Sequence, residues 1–371
     1  MNTILLIANH FNTIYKFRRE LVERLLENEF RVVLAYPKGD DNRYFSEMGC
    51  EVIDTILDRH GTNPVRDLRL YRFYVKLIKQ IKPCVVLTYT IKPNIYGGLA
   101  CRKLKVPCLA NITGIGAIGG DSFLHKFVFL MQKRALAKNK RVFFQNQKDM
   151  NIYIKNKIAT GQALLLPGSG VNLNNFYPVD YPTDDSIVKF IIISRIREDK
   201  GIEEMFELIK RMKGSCVEFH VFGSCENDGY MSQMEEIMKE HPLFYHGVVP
   251  QDELRDRIAD FHCLIHPSHS EGMANAILEC AAKACPAIAS DIPGCREGID
   301  DTITGYLYPC GDVERLFDQV VRFINLTWEQ KRDMGLKGRK KVEQEFDREI
   351  VIGIYMKEIE EAFTRSNECN E

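Results

Sequence analysis

The chain has 371 residues, 45% hydrophobic and 27% charged, with a formal net charge of −1. This length suits two domains that each bury a core, and the composition excludes disordered, collagenous and disulfide-scaffold classes. The small net charge hides an asymmetry. Residues 1–180 carry 27 Lys and Arg against 14 Asp and Glu, a formal +13, which leaves 23 against 37, or −14, for the rest. A basic first half facing an anionic partner is expected, whether a membrane surface, a phosphorylated substrate or nucleic acid. No stretch approaches about 18 consecutive apolar residues, so no spanning helix is expected. The start MNTILLIANHF lacks a basic n-region and a long apolar run. With no export signal and no CxxC pair, the twelve cysteines read as reduced thiols in a cytosol.

Strands and helices alternate from the first residues. TILLIAN reads as a buried strand, Phe17 to Leu26 as a helix and FRVVLAY as the next strand. A basic helix is expected from about Val65 to Lys82. Its apolar stripe is Leu70, Tyr74, Leu77, Ile78 and Ile81, with Arg66, Arg69, Arg72, Lys76 and Lys79 around the rest. CVVLTYT, PCLANIT and RVFFQN follow as strands, with a glycine-rich turn Gly114 to Gly120 and a helix from Ser122 to about Ala137 between the last two. This rhythm predicts a parallel sheet with crossover helices. The periodicity lapses over GSGVNLNNFYPVDYPTDDS, which reads as an interdomain linker. Alternation resumes with VKFIIISR, VEFHVFG, LFYHGVV, HCLIHPS and CPAIASD. It ends with GYLYP and a final helix from about Asp347 to Phe363. The expected domains are 1–178, 185–346 and a C-terminal helix and tail, 347–371.

Ligands of such sheets bind beyond the carboxyl ends of the strands, so the loops there are the places to search. After KFIIIS, Arg195 and Lys200 share one loop, and two cations there could neutralise a departing diphosphate without a metal. After VEFHVF, Gly223 could let the backbone approach a ligand. After HCLIHPS, Glu271 sits at a loop tip and Glu279 about two turns into the expected helix. Gly272 opens that loop, and Asn275 can cap or line the helix start. Free amides at the helix start form a site for anions. Two glutamates at this spacing are more often solvated surface charges, and Arg195 with Lys200 more often a surface pair. Their joint placement, each after a strand, favours a shared ligand. His262, His266 and His269 raise a metal reading. Strand spacing splays them, and no carboxylate or cysteine pattern completes a tetrahedral site, so they read as core or cleft-lining residues. GxGxxG is absent after the first strand, where ANHFNTIY stands, which disfavours an NAD enzyme.

The combination RIREDKGIEEMFELIK, VFGS, YHGVVPQDEL and PSHSEGMANAILECAAKACPAIASDIPGCREGI resembles the retaining nucleotide-sugar glycosyltransferases of family 4. YTIKPNIYGGLACRKLKVPCLANITGIG, VFFQNQKDM and LPGSGVNLNNF look like the subgroup that builds bacterial capsule, O-antigen or lipid-linked oligosaccharides. The resemblance implies a GT-B fold: two Rossmann-like α/β domains with parallel sheets facing across a cleft, and a C-terminal helix crossing back to the first. It also implies an enzyme that moves a hexose or N-acetylhexosamine from a nucleotide-sugar, UDP-sugar foremost, to a polyprenyl-diphosphate-linked saccharide. Carried over to this chain, Glu279 would bind the ribose hydroxyls and Glu271 would contact the donor sugar. Arg195 and Lys200 would hold the diphosphate with amides of Gly272, Met273, Ala274, Asn275 and Ala276, and the backbone at Val248 and Val249 would read the base. Ala274, Cys280 and Ser194 depart from the usual family residues without removing a charge.

The first half is less determined. Thr90, Lys92 and Asn94 occupy a loop where many members carry a histidine. Lys92 could meet a phosphate or form a salt bridge. Asn9 and His10 face the expected cleft on topology alone. The glycine turn opened by Thr113 and Gly114 reads either as a place where the acceptor approaches the backbone or as a mobile loop with no ligand, and no residue stands out as a catalytic base. Same-face displacement assisted by the leaving phosphate is the expected route, with Glu271 as a covalent nucleophile the weaker version. No cofactor or metal is expected, and nucleic acid is not an expected partner. SFLHKFVFLMQKRALAK places Phe123, Phe127, Leu130 and Met131 beside Lys126, Lys133 and Arg134. It reads either as an ordinary crossover helix or as a contact with anionic lipid on the inner face of the cell membrane. A UDP-sugar epimerase of the same architecture and a non-catalytic sugar-nucleotide-binding protein are the competing functions.

Overall fold

The computed structural model describes residues 2–37, 39, 43–57, 63–114 and 123–368. The chain divides into two compact units, Met1–Ser169 with Glu349–Glu371, and Gly170–Arg348.

In the first unit the strands are β1 (Thr3–Ile7), β2 (Arg31–Tyr36), β3 (Glu51–Asp54), β4 (Val85–Tyr89), β5 (Cys108–Ile112), β6 (Arg141–Phe144) and β7 (Ala163–Leu165). Among the described residues they form one parallel sheet in the order β3-β2-β1-β4-β5-β6-β7. Every residue of β1, β4 and β5 is buried. A parallel strand covered on both faces reads as a continuous apolar run, which TILLI and VVLTY are. The first helix is Phe11–Glu27 and begins before the expected Phe17, because His10 caps it: its Nδ1 accepts from Asn12 N at 3.1 Å. The basic helix is Pro64–Ile81, and Leu70, Tyr74, Leu77 and Ile78 pack on the sheet. Lys82, in the left-handed region at φ 49°, closes it before Pro83. The helix Phe123–Leu136 packs on the π-helical turn Pro93–Gly97, as does Pro64–Ile81. Residues 115–122, which hold most of the expected glycine turn, lie outside the described residues.

The C-terminal helix Arg348–Glu368 belongs with this unit from Glu349 onward. Val351, Ile352, Tyr355, Met356 and Ile359 share a core with Ile4, Leu6, Leu34 and Leu87. Arg18, almost fully buried, lies between the rings of Tyr89 and Tyr355 at 5.2 and 5.3 Å. Its Nη1 donates to Phe17 O at 2.6 Å, and the aromatic faces serve where a carboxylate would otherwise stand.

The second unit holds β8 (Val188–Ile193), β9 (Val217–Phe222), β10 (Leu243–Gly247), β11 (Cys263–His266), β12 (Ala287–Ser290) and β13 (Gly305–Tyr308). Their parallel order is β10-β9-β8-β11-β12-β13. The segment expected as a linker is instead a strap on this unit. Val171 N donates to Phe346 O at 2.8 Å, Phe176 enters the core, and Tyr181 hydroxyl donates to His262 O at 2.9 Å. Trp328 Nε1 donates to Pro182 O at 2.7 Å. Polar composition concealed two buried aromatic anchors, Phe176 and Tyr181, so the division falls at 169/170 and not at the expected 178. The chain leaves the second unit beside where it enters. Arg348 N donates to Val171 O at 3.0 Å, and its Nη2 to Gly170 O at 2.9 Å.

Candidate active site

In the second sheet the chain runs outward from β8 to β10, then returns to the other side of β8 with β11. The carboxyl ends of β8 and β11 therefore flank the point where strand order reverses, the crevice in which open α/β sheets bind ligands. Lys200 arrives there from the loop after β8 and Glu271 from the loop after β11. Lys200 Nζ lies 2.6 Å from Glu271 Oε1. The same ammonium donates to Ser270 O at 3.1 Å and Ser268 Oγ at 3.3 Å, so its three protons are all engaged.

His266, the last residue of β11, is buried and places Nε2 3.2 Å from the same Glu271 oxygen. With Glu271 ionised, that nitrogen is the donor. Burial pushes the Glu271 carboxyl up. The His266 hydrogen bond and charge, followed by Lys200, outweigh it and hold the group at about 2. Glu271 is thus a fixed carboxylate with one oxygen committed to two donors, an arrangement suited to electrostatic positioning rather than proton donation.

Glycines set the backbone here. Gly201, at φ 68°, has Pro267 O 2.0 Å from where a Cβ would stand, which locks the Lys200 loop onto the loop after β11. Gly294, at φ 91°, has Glu271 Cβ only 2.8 Å from where a Cβ of its own would stand. Glu297 Oε2 accepts from Gly294 N at 2.6 Å, and Gly294 O accepts from Ala274 N at 2.8 Å. This loop supports Glu271 from behind.

Several expected residues stand where the strand-end argument put them, with altered roles. Arg195 is exposed, and among the described residues its side chain has no carboxylate partner, so it is a cation available at this edge. Gly223 is needed for internal packing: Ser194 O lies 1.8 Å from its Cβ position, and its amide donates to Gly247 O at 2.8 Å. Val248 is 75% exposed at the end of β10, and Val249 packs on the core. The helix is Asn275–Ala282, so Glu279 lies about one turn in, not two. The N-cap is Ala274 with no side-chain hydrogen bond; Asn275 turns back to Met273 O at 3.4 Å. Ala274 N is spent on Gly294, which removes one of the expected anion donors. Gly272 is half-buried, Met273 is buried, and Ala276 opens the first turn.

In the first unit the expected acceptor residues are committed to local structure. Asn9 Oδ1 accepts from Thr13 Oγ1 at 3.0 Å and His10 is the helix cap. Lys92 pairs with Asp67 at 2.9 Å, so the salt-bridge reading is the one observed. Asn94 braces β4 to β5 through Thr88 Oγ1 at 2.7 Å and Asn111 O at 2.8 Å. Thr113 is exposed and Gly114 has φ 133°. The histidines separate: His262 accepts from Lys189 N at 3.0 Å, His266 holds Glu271 and His269 pairs with Glu204. Among the described residues no group of three His, Cys, Asp or Glu is arranged to hold a metal. His266, Gly294 and Glu297 were missed as supports of Glu271. The terminal position of His266 on an apolar strand and the turn IPGCREG were the available signals.

Two family matches divide the chain as the fold does. Residues 3–146 match glycosyl transferase 4-like proteins and residues 177–341 match glycosyl transferases group 1. A Campylobacter jejuni N,N'-diacetylbacillosaminyl-diphospho-undecaprenol alpha-1,3-N-acetylgalactosaminyltransferase is 22% identical, over 93% of this chain and 95% of its own. The Staphylococcus aureus capsular polysaccharide biosynthesis glycosyltransferase CapM is 23% identical, over 77% of this chain and 80% of its own. Among solved structures, sucrose-phosphate synthase from Thermosynechococcus elongatus superposes with a TM-score of 0.80 at 17% identity, covering 99% of this chain and 100% of that one. Anabaena HepE in complex with UDP-glucose gives 0.78 at 15%, covering 98% and 100%. The fold is GT-B and the protein is a glycosyltransferase. It belongs to family 4.

Proposed function

We propose that the chain transfers a hexose or N-acetylhexosamine, with retention, from a UDP-sugar to a polyprenyl-diphosphate-linked saccharide in bacterial surface polysaccharide assembly. The observation that carries this is the Lys200–Glu271–His266 cluster at the strand-order reversal of the second unit. There a fixed carboxylate and a partly buried ammonium meet, with the exposed Arg195 on the same loop as Lys200. In this reading Arg195 and Lys200 stabilise the leaving diphosphate, joined by the amides at Met273, Asn275 and Ala276. Lys200 exchanges its Ser268 or Ser270 bond for a phosphate oxygen. Glu279 binds the ribose hydroxyls, the backbone at Val248 and Val249 meets the base, and Glu271 orients the sugar. These cations do the work that a metal would otherwise do. The relatives that act on undecaprenyl-diphosphate sugars support the acceptor class. Work on the cytoplasmic face of the membrane follows from such an acceptor. The outward face of helix Phe123–Leu136 suits it: Phe127 is 50% and Leu130 47% exposed beside Lys126.

The test is a panel of UDP-, GDP- and ADP-sugars offered with a polyprenyl diphosphate-linked sugar, with product read by mass spectrometry. One UDP-sugar is expected to give product. A UDP-sugar converted to its epimer without acceptor, or no transfer from any donor, removes the proposal.

A further inference from the structure

Helix Pro64–Ile81 carries an outward stripe unlike that of an ordinary crossover helix. At 100° per residue, Val65, Leu68, Arg69, Arg72, Lys76 and Lys79 fall within an arc of about 100°. All six are exposed, Val65 by 61% and Leu68 by 48%. The stripe is ordered along the axis, with apolar residues at the amino end and four cations following over about 15 Å. Among the described residues those four have no carboxylate partner. Ile91, 40% exposed, lies near the apolar end, because neighbouring Lys92 is tied to Asp67 in the first helical turn.

The amino end is also prepared for a medium poor in water. Pro64 has no N–H to satisfy. Asn63 Oδ1 accepts from Val65 N at 2.9 Å and Arg66 N at 3.3 Å, and Asn63 O accepts from Asp67 N at 3.0 Å. Of the amides that a helix start normally leaves to water, Pro64 therefore lacks one and those of Val65 and Arg66 are met by Asn63. Burying them in a membrane interface carries no penalty of unmet donors.

We propose that this stripe is a docking surface for an anionic lipid bilayer: Val65, Leu68 and Ile91 enter the interface, and Arg69, Arg72, Lys76 and Lys79 lie against the phosphates. This rests on the lipid-linked acceptor reading above and extends it to a surface outside the active site and outside helix Phe123–Leu136. Each basic residue near an anionic surface is worth roughly a fivefold gain in partitioning.

The test is sedimentation of the full chain with vesicles of phosphatidylglycerol and phosphatidylethanolamine, against phosphatidylcholine alone. Transfer to a short-chain soluble acceptor is measured in parallel. The wild type is expected to pellet with the anionic vesicles only. The Arg69→Gln, Arg72→Gln, Lys76→Gln, Lys79→Gln variant and the Val65→Ser, Leu68→Ser variant should each lose at least tenfold in partitioning while keeping transfer to the soluble acceptor. Pelleting unchanged in both variants, or equal on both vesicle types, overturns the proposal. Lipid binding through the stripe without transfer to any polyprenyl diphosphate sugar would keep the surface and refute the acceptor reading instead.

Discussion

Glu271 gathers Lys200 and His266 on one carboxylate oxygen. A carboxyl held at about 2 in the folded chain, against an ordinary value near 4.5, contributes stability that is complete above about pH 4.5 and is lost as pH falls through 2. The shift corresponds to a contribution on the order of 3 kcal/mol. Glu271→Gln is therefore expected to be less stable than the wild type at pH 7. The gap between their urea midpoints should close steadily from pH 4.5 downward, and a gap independent of pH would contradict the ion-pair account. The same variant should lose roughly 100- to 1,000-fold in kcat, the scale of removing one preorganised electrostatic group. The residue types at this site were legible before the fold was known, since Lys200 and Glu271 each follow an apolar run. Their contact was not, because they are far apart in sequence and meet only through the pairing of β8 with β11. His266 was hidden for the same reason: in sequence it is one of three nearby histidines, and only the loop geometry assigns each a different partner.

At the scale of elements, the buried strands were the readable part, since continuous apolar runs follow from burial on both faces. Helix starts were less readable: Phe11–Glu27 begins where a histidine caps it, a role usually taken by Ser, Thr, Asp or Asn. The π-helical turn Pro93–Gly97 left no periodic trace. The C-terminal helix shows how tertiary packing takes over. Its hydrophobic residues were visible, but their core partners Ile4 and Leu87 lie more than two hundred residues earlier in the chain. Tyr355 is fully buried, closes the Arg18 sandwich and donates its hydroxyl to Asn111 Oδ1. Tyr355→Ala should cost about 3–5 kcal/mol of unfolding free energy, as for other buried aromatic truncations, measured by urea titration. A loss below about 1 kcal/mol would mean that the helix contributes little to the first unit.

At the scale of the whole molecule, two sheets with separate cores should unfold as two calorimetric transitions. UDP-sugar bound at the second sheet's strand-order reversal should raise one of them. At 100 times its dissociation constant the gain is about 2.7 kcal/mol, leaving the other transition in place. A uniform shift of both would contradict binding confined to that unit. The hydrogen-bonded meeting of Gly170 and Val171 with Asp347 and Arg348 has a genetic meaning as well. The second unit is an insert whose two ends touch, so one continuous cassette encodes it. Residues 170–348 can be excised as a self-contained gene fragment, and a short peptide can join 169 to 349. The molecule is therefore open to domain exchange, in which a homologous second unit replaces this one without disturbing the flanking sheet.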